Sequence, residues 1–180
     1  MYKLFLIFAA VLCFQSDTSE ISWNQNYKLT WQDFKGKPNK ETDAVAVTAS
    51  GITFGYSIKK SSTKGITGFN TTVLAHFYPE HSWCKKDVVD DHVLAHEQLH
   101  FDITELNTRY FREKISKLKV SNTIADVLNS IHKKTNEELE AMQQRYDNES
   151  EYSINKEGQS KWSTFVSKEL KRLQEFQSQK

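Results

Sequence analysis

His96, Glu97 and His100 form a His-Glu-x-x-His unit inside the stretch Leu94-Ala95-His96-Glu97-Gln98-Leu99-His100-Phe101-Asp102. On an α-helix, at about 100° per residue, the two histidines stand about 40° apart on one face, so both imidazoles can reach one metal ion. Glu97 points about 100° round from His96, beside the pair rather than within it. From there its carboxylate can bond a water held by the metal, which is where hydrolysis wants a general base. Imidazole ligands with an open fourth position suit Zn2+. The plainer alternative is an amphipathic helix that carries two half-buried histidines.

The helix that must hold this unit is legible on both sides of it. Asp87 is placed to N-cap it, with Asp90 at the capping-box position, and no Gly or Pro interrupts from Val88 to about Leu118. Measured from His96, the residues Val89, Val93, His100, Ile103, Asn107, Tyr110 and Phe111 fall within about 60°, so the histidines belong to the buried stripe. Asp102 and Glu105 point away, at about 240° and about 180°, and cannot join the same ligand set. Asp102 is read either as a group that receives a ring N–H or holds a neighbouring loop, or as a solvated charge. Glu105 and Arg109, four apart, read as a surface ion pair.

Upstream, Trp31 and Phe34 pin a short turn that Gly36 and Pro38 close. Ala44 to Ile58 and Ile66 to Tyr78, rich in β-branched and aromatic residues and joined by a polar turn, predict two or three antiparallel strands with Val73, Ala75 and Phe77 on one face. His76 and His81 lie at the far end of that sheet and could approach a metal, but His76 alternates against the apolar positions and so faces solvent or a hydrogen-bond partner. Downstream, Ser121-Asn122-Thr123 breaks the chain before a second helix from about Ile124 to Tyr146. A last amphipathic helix follows from Gln159 to Phe176. Between them the segment 146–152 is compact and rich in oxygen donors, the best source of a third ligand.

The whole chain has 180 residues, 38% hydrophobic, with a net charge of +1. That suits one domain and lacks the basic footprint of a nucleic-acid binder. Lys3 followed by the apolar run Leu4 to Phe14 and the polar Gln15-Ser16-Asp17 reads as a signal peptide over residues 1–18, leaving a single domain over 19–180 that is exported, periplasmic or secreted. Leu12 stands where a lipid-modified Cys13 would want a small residue, which argues against a lipoprotein anchor. With the leader gone, Cys84 is the sole thiol, read as buried or idle rather than as a zinc ligand.

Taken together, Trp31-Gln32-Asp33-Phe34-Lys35-Gly36, Ser82-Trp83, Leu94 to Glu105, and Tyr146-Asp147-Asn148-Glu149-Ser150 with Gln159 and Trp162 resemble a family of small secreted bacterial proteins. That family is catalogued as a domain of unknown function and regarded as zinc-dependent proteases. The resemblance implies a zincin-like α+β fold, with a small antiparallel sheet packed on the His-Glu-x-x-His helix, C-terminal helices behind, and an edge strand that holds substrate extended. The family's Tyr-Asp-x-x-Thr-x-His pattern has Ser150 here in place of Thr, and Tyr152 in place of His. Three readings of the third ligand stay open: Asp147 first, Glu149 as runner-up, or Tyr152 coordinating weakly or donating to an oxyanion.

The expectation is therefore metal-assisted hydrolysis of a polypeptide substrate, with Zn2+ on His96, His100 and a downstream carboxylate, Glu97 as base, and Tyr146 or Tyr152 steadying the oxyanion. A degenerate, zinc-stabilised binding or scaffold protein of the same fold is the alternative, and a hydrolase acting on another bond is the third possibility.

Overall fold

A computed structural model describes residues 20–178. The signal peptide expected over 1–18, with Cys13, lies outside the described residues. The architecture is α+β: a small antiparallel sheet and three helices.

The sheet is built from β1 (Ile21–Ser22), β3 (Ser50–Ser61) and β4 (Gly65–Phe77) in the order β1-β4-β3, while β2 (Ala46–Val47) pairs antiparallel with β5 (Trp83–Cys84) as a separate ribbon. The long β3–β4 hairpin runs in register from Ser50↔Phe77 to Ser61↔Gly65, with an irregularity at Lys59/Lys60. Gly65, at φ 68, supplies the left-handed position of its turn. Val73, Ala75 and Phe77 are buried, as the alternation predicts. His76 is buried too, at 3.4 Å from both Ser22 Oγ and Glu20 Oε2, and so takes a partner on the opposite face. The first predicted strand splits, because Ala46 and Val47 leave the hairpin to pair with Cys84 and Trp83.

The Trp31–Asp33 turn is an anchor, as its sequence suggests. The Thr30 N–H and hydroxyl both donate to Asp33 Oδ2, and the Phe34 ring packs tilted against Trp31 and edge-on against Phe77, with centroids 5.0 and 5.2 Å apart. Gly36 closes it by necessity: a Cβ there would lie 2.8 Å from Ser82 O and 2.9 Å from Glu80 O, both main-chain atoms.

Helix α1 (Asp91–Ser116) begins three residues later than the Asp87 cap implies. Asp90 takes the cap instead, accepting from Val93 N at 2.8 Å. The helix lies between the sheet and helices α2 (Ile124–Ser150) and α3 (Lys156–Arg172). Leu99, Ile103 and Leu106 pack with Leu139, Trp162 and Val166; Phe101 packs with Phe34, Ala75 and Phe77; and Phe111 and Ile115 pack with Val73, Ile124 and Leu128. Apolar contacts on every flank bury more than the stripe that periodicity marks.

Burial on all sides also corrects the expected surface pair. Glu105 and Arg109 are 1% and 2% exposed. Glu105 Oε1 accepts from Arg109 Nε at 2.8 Å and from Arg112 Nη1 at 3.4 Å, while the two guanidiniums also donate to Leu170 O, Val73 O and Phe176 O. One carboxylate thereby ties α1 to the sheet, to α3 and to the C-terminal turn. Burial pushes the Glu105 carboxyl upward despite its two arginines.

Helix α2 continues to Ser150, a full turn beyond the expected end at Tyr146, so most of the oxygen-rich segment 146–152 is helical. Helix α3 starts at Lys156, three residues earlier than expected, with Asn155 Oδ1 accepting from Gly158 N at 3.0 Å. Gly158 lets the two helices meet, since a Cβ there would sit 2.1 Å from Glu149 O.

Candidate metal centre

Two helices crossing side by side make the site. His96 and His100 stand one turn apart on α1, and the last turns of α2 bring Gln143, Tyr146 and Asp147 alongside them. His96 Nε2 and His100 Nε2 are 3.1 Å apart; Asp147 Oδ1 lies 3.3 Å from the first and 2.9 Å from the second. These three form the one group of potential metal ligands found among the described residues. A tetrahedral ion at ~2.0–2.1 Å from each ligand would set them about 3.3 Å apart, so the trio fits such an ion.

Among the carboxylates considered for the third position, Asp147 is at the site and Glu149 is not. Residues two apart on a helix point to opposite sides. Glu149 turns away, accepting from Trp162 Nε1 at 2.7 Å and pairing with Arg145 at 3.2 Å. Tyr152 lies beyond the end of α2 and lines the mouth of the cavity, 69% exposed. His76 and His81 are not part of the trio.

Glu97 is 4% exposed, and its Oε2 is a buried atom without a hydrogen-bond partner. A buried carboxylate oxygen left unpaired is costly unless a ligand or water meets it there. Glu97 lines the same cavity of about 710 Å3 as His96, His100 and Asp147. The opposite wall is the segment from Thr42 to Thr48, fastened to α1 by the Thr48 hydroxyl, which donates to Glu97 O at 3.2 Å.

Tyr146 is fully buried under the imidazoles, stacked on His96 with ring centroids 4.6 Å apart and edge-on to His100 at 4.9 Å. Its hydroxyl donates to His96 O at 3.4 Å, so it packs the histidines from behind and does not line the cavity. Burial, with the charges of Glu97 and Asp147, drives its pKa far above the ordinary phenol.

The orienting hydrogen bond comes from a residue the sequence reading missed. Gln143 Oε1 accepts from His100 Nδ1 at 2.5 Å, and Gln143 Nε2 donates to His100 O and Thr104 Oγ1 at 2.9 and 3.3 Å. The signal was its position one turn before Asp147 on the same face of α2. Asp102, considered for that task, reaches neither imidazole: Trp23 Nε1 donates to it at 2.7 Å, Gln98 Nε2 at 3.0 Å, and Lys28 lies 3.7 Å away. It holds the N-terminal segment, which is the other duty considered for it.

The electrostatics are those of a coupled cluster. For Asp147, burial raises the carboxyl, but hydrogen bonds from His100 and His96 outweigh it and hold the group well below the usual carboxylate range. For His100, burial opposes the charge, and the bond to Asp147 with the negative charge of Glu97 overcomes it and lifts the pKa. Cys84 is buried and free, its thiol pushed up by burial, and stands outside the trio.

A family profile of bacterial proteins of unknown function, DUF922, matches residues 27–153. The chain belongs to that family. No curated protein and no solved structure matches the chain. The DUF922 match takes in the Trp31–Gly36 anchor, both histidines, Gln143 and Asp147. It ends at Ser153, so α3, with Gln159 and Trp162, lies beyond it.

Proposed function

We propose that this DUF922 protein is an exported zinc-dependent peptidase of zincin-like architecture. The observation that carries the reading is the convergence of His96 Nε2, His100 Nε2 and Asp147 Oδ1, all within 4.8 Å of one another, at an open cavity beside the unpaired carboxylate oxygen of Glu97. His96, His100 and Asp147 would hold the ion, and Zn2+ bound there supplies a polarised water of lowered pKa. Glu97 takes the proton of the attacking water and passes it to the leaving amine. Gln143 fixes His100 with its Nδ1 proton outward and its Nε2 lone pair toward the trio, while Tyr146 keeps both rings from rotating. Tyr152, at the cavity mouth, is the tyrosine placed to approach substrate.

The test is metal content of protein purified without chelator, together with cleavage of casein with and without chelator. Glu97→Gln is expected to keep the metal and lose cleavage, and His96→Ala to lose both. Retained hydrolysis in Glu97→Gln refutes the assignment of the base. Tyr152 standing in place of the family's His favours one second reading, a zinc-stabilised binding protein without chemistry; bound zinc with no cleavage of any polypeptide supports it. Among the described residues no helix is long and apolar enough to cross a membrane.

A further inference from the structure

Helix α2 leaves its last turn through three consecutive residues in the left-handed region: Glu151, Tyr152 and Ser153, at φ 48, 52 and 78. None is Gly or Asn, the residues that tolerate this conformation. The strain is held in place from both sides. Tyr152 N donates to Asp147 O at 2.9 Å and Asn155 N to Ser150 O at 2.8 Å, and His92 Nε2, one turn before His96 on α1, meets Ser153 O at 2.7 Å. What the strained turn achieves is display. Tyr152 and Ile154 stand 69% and 77% exposed on the cavity rim, where folding gains nothing from them.

Across the cavity from α1, Val45 and Val47 add apolar surface, as does Val93 from α1 itself. The same wall is a strand that, among the described residues, pairs with no strand other than β5. Lys85 N donates to Val45 O at 2.8 Å, and the alternation of an antiparallel ladder then turns the main-chain groups of Ala46 away from β5. An apolar pocket, an open strand edge and the His–His–Asp trio thus share one cavity, and a polypeptide lying extended answers all three.

We propose that Tyr152 and Ile154, displayed by the strained turn and facing Val45, Val47 and Val93, select substrates with a large aliphatic or aromatic side chain next to the bond that is cut. The inference rests on the peptidase reading and adds a substrate class to it. The probes are fluorescein-labelled unstructured peptides of one length that differ only in a central Leu, Phe, Ser or Asp. Their affinities are read by anisotropy on Glu97→Gln protein loaded with zinc, and their cleavage by kcat/KM on the unaltered protein. Leu and Phe peptides are expected to bind about tenfold or more tightly than Ser and Asp peptides, from burial of one large apolar side chain. Ile154→Ser and Tyr152→Ser should each shrink that ratio, the double variant should bring it near unity, and Tyr152→Phe should preserve it. Equal affinity for Leu and Ser peptides, or a preference that survives the double variant, overturns the proposal. Selective binding without cleavage keeps the pocket and removes the peptidase reading, whereas cleavage without preference does the reverse.

Discussion

Replacing Gln143 by Met tests whether the trio is organised as a metal site or is simply a polar knot between two helices. The Gln143 amide cannot flip, because its Nε2 already serves His100 O and Thr104 Oγ1. Its Oε1 therefore accepts and His100 Nδ1 must carry a proton, so that Nε2, which bonds Asp147 Oδ1 at 2.9 Å in the absence of an ion, is the nitrogen that would give up its proton to a metal. Met matches the volume and offers no acceptor of that strength, so the ring loses both its tautomer and its tether. Losing such a partner costs ~10–100-fold in metal affinity, or about 1.4–2.7 kcal/mol. Gln143→Glu restores an acceptor at the same reach and should recover most of that loss. The assay is competition for zinc against a chromophoric chelator at neutral pH, with circular dichroism to confirm the fold. Zinc binding in Gln143→Met equal to that of the unaltered protein would refute the reasoning, and so would a Gln143→Glu variant as weak as Gln143→Met.

Asp147→Asn should weaken zinc binding far more than Glu149→Gln, whose side chain bonds Trp162 and Arg145 instead; equal losses in the same titration would contradict the ligand assignment. In chelator-treated protein, thermal melts against pH should show a maximum between about 4 and about 6.5. The raised His100 pKa gives stability that is complete below its ordinary 6.5 and fades as pH rises through the folded value, while the depressed Asp147 pKa gives stability that is present above 3.8 and is lost as pH falls through its folded value. A melting temperature that rises steadily through neutral pH would contradict this. Gly158→Ala should lower the melting temperature, because its Cβ would lie 2.1 Å from Glu149 O and force α3 off α2 at a cost of ~1–3 kcal/mol or more. An unchanged melt would mean that the helix contact is softer than the geometry indicates.

The convergence of His96 and His100 on one face, with Glu97 beside them, was legible because a helix converts spacing into direction, and the hairpin because alternation marks its buried face. Asp147 could be narrowed to a segment but not placed by helical geometry, since the reading ended α2 at Tyr146. Helix ends are usually announced by Gly or Asn, and here Glu151, Tyr152 and Ser153 adopt the left-handed exit instead, so the stop carried no local mark. Glu105 and Arg109 were misread for a different reason. Charge spacing suggests a solvated pair, and nothing in α1 alone reveals that the sheet, α3 and the C-terminal turn cover that face. Gln143 escaped notice because its role exists only where α1 and α2 touch.

The enclosure of α1 has a bearing on how the protein can fail. A binding centre carried on loops can loosen while the rest of the molecule stays intact. Here the same rod that seats His96 and His100 is gripped by all three apolar clusters from Leu99 to Ile115, so the turns that carry the histidines are anchored in the core directly behind them. The geometry of the trio and the integrity of the fold are thereby fused into one cooperative unit.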